Sequence, residues 1–229
     1  MKYLSIGFII FTLALLGFST YQALFVAPTE QTMGDVQRIF YYHAPTAWVA
    51  GVCFFVNFLA SIAYLWKRSL NADALAAASA EVGVVFCTIV LITGPIWAKP
   101  VWGIWWTWEA RLTSTLVLWL IYVSYLILRR FSVGSQTQTL AAALAIFGFV
   151  DVPIVYMSIR WFRTQHPQPV IAGGQGSGLD PVMWHAFLWN LLAFTCVGIV
   201  FIVTRYRLQK LENEVEAAHA QRAIAGGVQ

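Results

Sequence analysis

Residues 94–114 read GPIWAKPVWGIWWTWEARLTS and lie between two long apolar runs. Five tryptophans and then an acid and a base stand in this stretch: Trp97, Trp102, Trp105, Trp106 and Trp108, followed by Glu109 and Arg111. Tryptophan suits a bilayer interface, where its ring is apolar and its N–H can stay hydrated. Because two or three tryptophans would suffice for an interfacial belt, five of them around a glycine and a charge pair predict a platform for a large, flat, apolar ligand.

The composition indicates an integral membrane protein built from helices. Of the 229 residues, 59% are hydrophobic and only 10% are charged, whereas a soluble domain carries about 25% charged residues. Long continuous apolar runs are typical of spanning helices and not of the alternating strands of a membrane barrel. The net charge of +4 does not indicate nucleic-acid binding, because most basic residues lie beside the apolar runs. The cysteines lie within those runs without a CxxC spacing, so we expect buried thiols.

Six apolar runs approach or exceed the 20 or so residues that a helix needs to cross a bilayer. They extend from about Leu4 to Val26, Pro45 to Trp66, Leu75 to Trp97, Leu112 to Leu128, Thr139 to Ile159 and Met183 to Thr204. We therefore predict an all-α, six-span membrane domain over residues 1–204 and a cytoplasmic tail over 205–229. The first run is too long for the apolar part of a signal peptide, so we expect it to be retained.

Lysine and arginine predict the orientation of these spans. With the N-terminus inside, most basic residues face the cytosol, including Lys67-Arg68 and Arg129-Arg130, each pair at the end of a span. Both termini are then cytoplasmic. Three loops of unusual sequence lie outside: the first outer loop (27–44), the Trp-rich loop (within residues 94–114) and the third outer loop (160–182). The predicted functional chemistry therefore faces one side of the membrane.

Three histidines lie at or near this outer face: His43, His166 and His185. Neutral imidazole is a good axial ligand for haem iron, and two from separate loops could clamp a haem against the tryptophans. Pro45 suits a first helical turn and gives His43 a defined backbone, whereas Pro167 favours an extended His166. A lone histidine here would more often bond to backbone or water. A zinc site is disfavoured, because the cysteines that could complete it lie at membrane depth.

Basic residues in or beside the outer loops could hold the two propionates of a haem. They are Arg38, Lys99 and Arg111, and a guanidinium binds carboxylates with two parallel hydrogen bonds. An ion pair between Arg111 and Glu109, or interfacial snorkelling, is an equally open use of Arg111.

Two further segments carry expectations about the cavity and its loops. Asp151 beside Pro153 predicts either a kinked, hydrated helix lining a ligand cavity or a carboxyl bonded to a neighbouring helix. The glycine-rich segment GGQGSG (173–178) predicts a flexible loop that lets His166 move relative to the sixth span.

With these motifs in place, the chain resembles the Trp-rich "WWD" haem-handling membrane proteins, and within them the haem exporter protein C (cytochrome c maturation protein C) family of System I. The resemblance covers most of the chain. It rests on VWGIWWTWEARLTS (101–114), RIFYYHAPTAW (38–48) and VDVPIVYMSIRWFRTQH (150–166). It implies that His43 and His166 are the axial ligands of haem b and that the Trp-rich loop is the haem platform. The family motif usually ends in Asp where this chain has Glu109, and His185 matches no part of it.

The resemblance also implies a function and partners. The protein would present haem, at the periplasmic face of a bacterial inner membrane, to the periplasmic haem chaperone, cytochrome c maturation protein E, for c-type cytochrome biogenesis. Its other partners would be the ABC transporter subunits A and B and the small single-span protein D. Any enzymatic activity would be haem lyase-like at most, and no catalytic residue is predicted.

Two other functions stay open on the sequence. A membrane cytochrome b-type electron-transfer subunit would place histidine pairs in the middle of its spans, where this chain has none. A true transmembrane haem transporter would need a polar path through the bundle, for which only Asp151, Glu81 and Asn57 are candidates.

Overall fold

The computed structural model describes residues 2–132, 136–167, 169 and 178–226, and their regular secondary structure is helical. Seven α-helices follow in chain order: α1 (Lys2–Tyr21), α2 (Phe40–Lys67), α3 (Leu70–Trp102), α4 (Ala110–Phe131), α5 (Thr137–Phe149), α6 (Asp151–Trp161) and α7 (Pro181–Gly226). A π-helical turn, Gln22–Val26, extends α1, and a 3₁₀ turn, Asp35–Ile39, precedes α2. The predicted all-α class is confirmed.

Six helical segments among the described residues are long and apolar enough to cross a membrane. They are Ser5–Val26, Asp35–Lys67, Leu70–Trp102, Ala110–Phe131, Thr137–Trp161 and Pro181–His219. The six-span prediction is therefore confirmed, and the protein is a multi-pass membrane protein. α5 and α6 together form the fifth of these segments, and α7 continues without interruption from the sixth into the tail.

The third span is longer than the sequence predicted, and it carries part of the Trp-rich loop into a helix. α3 ends at Trp102 and not near Trp97, although Pro95 and Pro100 lie within it. A proline removes its own N–H from the helical hydrogen bonds but does not have to end the helix. The end comes at Gly103, whose φ of 77° is a left-handed helix C-cap that glycine adopts without strain. The irregular part of the Trp-rich loop is therefore only residues 103–109.

The centre of the bundle is formed by α2 and α3, with α4, α5 and α7 packed around them. Small residues allow this close approach: a Cβ on Gly83 of α3 would lie 2.6 Å from Cε1 of Phe54 on α2. Phe54 in turn stacks on Tyr122 of α4, with ring centroids 3.9 Å apart. Helices in a membrane associate through such packing, because lipid is as apolar as the side chains.

Polar residues in the half of the bundle away from the Trp-rich loop join helices. Arg129 of α4 donates two hydrogen bonds to the buried Asp73 of α3, at 2.6 and 2.9 Å. Arg205 of α7 pairs with Glu81 of α3, and the Asn57 amide donates to the Ala76 carbonyl at 2.8 Å. Glu81 and Asn57, which could have marked a path for a transported ligand, therefore hold helices together.

The fifth span is interrupted where the sequence predicted a kink. α5 ends at Phe149 and α6 begins at Asp151, and Pro153 in the first turn of α6 has no N–H to donate. α5 packs on α2 and α4, whereas α6 packs on α4. Phe149 stacks on Phe58 of α2, with ring centroids 4.5 Å apart. This contact holds the end of α5 against α2.

Candidate functional site

A large cavity occupies the half of the bundle that carries the Trp-rich loop, which is the half predicted to face outward. Its volume is about 1190 Å³, whereas pockets for drug-sized ligands measure about 300–1000 Å³. α2, α3, α4, α6 and the start of α7 line it, together with residues of the first and third outer loops. Most of the described residues around it are apolar, and His43, Arg111 and His166 are among its few polar groups. The cavity therefore suits a large apolar ligand with a few polar contacts.

His43 enters the cavity from the first turns of α2, and Thr93 of α3 fixes its ring. Its Nδ1 lies 2.8 Å from Thr93 Oγ1. The Thr93 hydroxyl donates its single hydrogen to the Ile89 carbonyl at 2.8 Å, so its oxygen accepts a hydrogen from Nδ1 of His43. Nε2 then carries the lone pair, which is the form of imidazole that binds a metal. The edge of the His43 ring also meets Trp97, with ring centroids 5.9 Å apart.

His166 enters the same cavity from the third outer loop. Its Nδ1 lies 2.9 Å from the Pro167 carbonyl oxygen, and because a carbonyl can only accept, Nδ1 carries the hydrogen. The pKa of His166 is lowered to about 4, mainly by burial and then by the positive charge of Arg111, which outweigh the raising effects of the Pro167 carbonyl and Glu109. His166 is therefore neutral at physiological pH. Like His43, it has its free lone pair on Nε2.

The two imidazoles form a two-ligand set. In the described part of the chain, no group of three or more His, Cys, Asp or Glu side chains is placed to hold a metal ion. A zinc site takes three or four protein ligands, whereas a porphyrin iron, already held by four ring nitrogens, takes one or two. The donor set around this cavity therefore fits a metalloporphyrin better than a free metal ion.

The five tryptophans of the Trp-rich loop divide into two groups. Trp97, Trp102 and Trp106 line the cavity. Trp105 and Trp108, which are 58% and 76% exposed, are not among its walls. The predicted platform is thus split between three indoles beside the histidines and two on the outer surface of the protein.

Glu109 and Arg111, at the start of α4, point to different partners. Arg111 lines the cavity and donates from Nη1 to the Val155 carbonyl of α6 at 2.6 Å. Glu109 does not line it, and its Oε2 accepts from the Thr164 hydroxyl and from the Gln165 backbone N–H. Among the described residues, the ion pair between Glu109 and Arg111 that the sequence left open is not formed. One residue therefore faces the ligand space and the other holds the third outer loop.

Comparison with known proteins identifies the family of this chain. Residues 2–221 match the family model of heme exporter protein C. The chain belongs to this family. Similar proteins named heme exporter protein C come from Bradyrhizobium diazoefficiens (32% identical over 93% of this chain and 81% of the relative) and Escherichia coli K12 (35% identical over 79% and 73%). Another, from Haemophilus influenzae, is 34% identical over 91% of this chain and 85% of the relative. The resemblance is confirmed and supports a role in haem export and cytochrome c maturation.

The two other basic candidates, Arg38 and Lys99, form hydrogen bonds within the outer loops. Arg38 donates from Nη1 to the Ala23 carbonyl at 2.7 Å and to the Ala27 carbonyl at 3.2 Å, and its Nε pairs with Asp35. Lys99 donates to the Gly103 carbonyl at the end of α3. Neither is among the residues that line the cavity. Arg111 is thus the basic side chain of the three that reaches the ligand space.

The three remaining candidates are His185, Asp151 and the GGQGSG segment, and they differ in their position relative to the cavity. His185 is exposed on α7, and Asp151 is partly buried on α6, and neither is among the cavity walls. Asp151 Oδ2 is buried with no hydrogen-bond partner among the described residues. The GGQGSG segment lies outside the described residues except for Gly178, which lines the cavity.

Sequence reasoning missed two residues that position the histidines in this heme exporter protein C family member. Thr93 is 50 residues from His43, within a span that reads as plain apolar helix. Thr164 is 55 residues from Glu109. Neither threonine stands in a pattern that indicates its partner, so only the packing of α3 on α2 and of the third outer loop on α4 reveals them.

Proposed function

We propose that this protein binds haem b in the outer cavity and presents it, at the periplasmic face of a bacterial inner membrane, for c-type cytochrome biogenesis. His43 and His166 would bind the iron through Nε2. One observation carries the proposal: both imidazoles line one apolar cavity, each engages its Nδ1 in a hydrogen bond, and neither Nε2 has a hydrogen-bond partner among the described residues.

The other cavity walls fit the porphyrin in shape and charge. Trp97, Trp102 and Trp106 offer flat apolar surfaces, which suit a macrocycle. The Arg111 guanidinium is the part of the wall that suits a propionate carboxylate. Its hydrogen bonds to α6 fix its position at the cavity, so the polar edge of the ligand would lie near α4 and α6.

The receiving partner would be the periplasmic haem chaperone, cytochrome c maturation protein E. The ABC transporter subunits A and B and the small single-span protein D would complete the assembly. The names of the family relatives support an export role, and the position of the cavity at one end of the bundle supports presentation on one side. We assign no catalytic residue, and any haem lyase-like activity would consist of holding haem where the chaperone can react with it.

The arrangement favours presentation over the two other functions. An electron-transfer cytochrome b subunit would stack haems through the bilayer, yet His43 stands at the outer end of α2 and His166 lies in a loop. A transporter would need polar groups lining a path, yet Glu81 and Asn57 are bonded to neighbouring helices.

The test is the visible spectrum of the detergent-purified protein, oxidised and reduced, beside His43→Ala and His166→Ala. His185→Ala is the matched control, because His185 lies near the same face but outside the cavity. We expect a low-spin bis-histidine spectrum in the wild type and the control. Each cavity variant should lose haem or become high-spin. Absence of haem from the wild type, even with abundant haem and the chaperone co-expressed, would overturn the proposal.

A further inference from the structure

We infer that Glu109 is a positioning residue, which holds the third outer loop so that the His166 imidazole reaches the cavity. The inference rests on the proposed function, because it assigns His166 the role of a ligand. Glu109 then differs in role from the neighbouring ligand-binding residues, because the Glu109 carboxylate bonds to the third outer loop and does not line the cavity.

A continuous chain of hydrogen bonds joins Glu109 to the backbone of His166. The Thr164 hydroxyl donates its single hydrogen to Glu109 Oε2, so its oxygen is free to accept. It accepts the backbone N–H of His166 at 3.0 Å. The Gln165 backbone N–H donates to the same carboxylate oxygen at 2.9 Å. One carboxylate oxygen therefore organises three successive residues, the last of which is the proposed ligand.

The backbone at the start of α4 directs Glu109 toward this loop. Glu109 is the N-cap residue of α4, with φ −72° and ψ 160°, but its side chain makes no capping hydrogen bond to its own helix. An N-cap side chain ordinarily accepts from the N–H groups of the first turn. Here the carboxylate is used 55 residues along the chain. Its function is thus to join the Trp-rich loop to the third outer loop.

The bonds to Glu109 complement the local bond of the imidazole. The Nδ1 contact with the Pro167 carbonyl sets how the ring is turned, but both partners belong to the same loop and move together. The bonds to Glu109 fix where that loop lies relative to α4, and hence relative to His43, which lines the same cavity. Loss of the carboxylate should therefore leave a competent imidazole in the wrong place.

The experiment compares Glu109→Ala and Thr164→Val with two matched controls, in the full-length protein purified with haem. Thr164→Ser keeps the hydroxyl, and Gln165→Ala keeps the backbone N–H that donates to Glu109. These variants lose hydrogen bonds to the Glu109 carboxylate, a charged group. The loss should shift the ratio of ligated to unligated His166 about tenfold or more. We expect haem to stay bound through His43 while the low-spin spectrum becomes largely high-spin in Glu109→Ala and Thr164→Val. Both controls should remain low-spin.

Two further measurements separate positioning from a general structural effect. Added imidazole should restore the low-spin spectrum of Glu109→Ala, because the vacant side of the iron can then take a free ligand. The double variant Glu109→Ala/His166→Ala should match His166→Ala alone, since a residue that acts through His166 has nothing left to act on.

The outcomes distinguish this inference from the proposed function. A wild type without haem removes the proposed function itself. A low-spin wild type with an equally low-spin Glu109→Ala would refute the positioning role alone. So would a further loss of haem in the double variant, because it would mean that Glu109 acts on the ligand independently of His166.

Discussion

Thr93 Oγ1 lies 2.8 Å from His43 Nδ1, across the interface between α3 and α2. Because the threonine hydrogen is already donated to the Ile89 carbonyl, the oxygen accepts from the imidazole and leaves Nε2 free. A metal-binding histidine is commonly oriented by such a partner, and its loss costs about 10–100-fold in affinity or activity.

Thr93→Val should therefore weaken haem binding by about 10–100-fold, because the ring is then free to turn or to move its hydrogen to Nε2. Thr93→Ser, which keeps the oxygen, should bind haem as the wild type does. The measurement is a haem titration of the apoprotein followed by absorbance. Equal affinities in the valine and serine variants would contradict the assignment.

The lowered pKa of His166 predicts how the apoprotein responds to acid. The pKa falls from the ordinary value of 6.5 to about 4 in the folded protein. Between these two values the unfolded chain binds more protons, so this residue makes stability decrease as the pH falls from about 6.5 to about 4, with no further loss below. The measurement is the thermal midpoint of the apoprotein in detergent against pH.

His166→Gln serves as the comparison for that profile, because it removes the titrating group and keeps a polar side chain. We expect its thermal midpoint to fall less steeply than that of the wild type between pH 6.5 and 4. Parallel profiles would mean that the His166 pKa is not lowered by folding.

The two groups of tryptophans should differ in their effect on haem affinity. Replacement of Trp97, Trp102 or Trp106 by alanine removes part of the cavity wall and should weaken haem binding. The same change at Trp105 or Trp108 should weaken it less, since these rings are largely exposed. The titration used for the Thr93 variants measures this. A larger loss at Trp108 than at Trp106 would show that the cavity is not the ligand site.

Gly83 should be sensitive to substitution, whereas Gly7 of α1 should tolerate it. A Cβ on Gly83 would lie 2.6 Å from Phe54 Cε1 and 3.1 Å from Cys53 Cβ, so Gly83→Ala must displace either the Phe54 ring, which is stacked on Tyr122, or α2 itself. Overpacking of this kind costs about 1–3 kcal/mol. Gly7→Ala is the control, because nothing lies within 4 Å of its Cβ position. Thermal midpoints in detergent should fall for Gly83→Ala and stay constant for the control.

The membrane explains why the fold could be predicted so fully from the sequence. A spanning helix must be long and apolar, and these properties can be counted directly, so six spans were found. The end of α3 was predicted too early, near Trp97, because an apolar run does not indicate how far a helix continues beyond it. The helix runs on to Trp102 and stops at Gly103.

The sequence predicted which types of residue form the candidate site, but not which hydrogen-bond partners they have in the fold. Histidine, tryptophan and arginine indicated ligand chemistry, and His43 and His166 do line one cavity. Arg38 had the same type and location as Arg111, yet its hydrogen bonds go to the Ala23 and Ala27 carbonyls. Which of two similar side chains reaches a cavity depends on tertiary contacts, which a single sequence does not contain.

The two imidazoles are attached to the protein in unequal ways. His43 belongs to a helix that is packed in the bundle, whereas His166 belongs to a loop whose described contact with α4 runs through one carboxylate oxygen. Under the proposed function, a receiving protein would replace the ligand on the weaker side first, while His43 keeps hold of the iron. The fold would thereby set an order for ligand exchange, in which the cargo would pass from one protein to the next without being released into solvent.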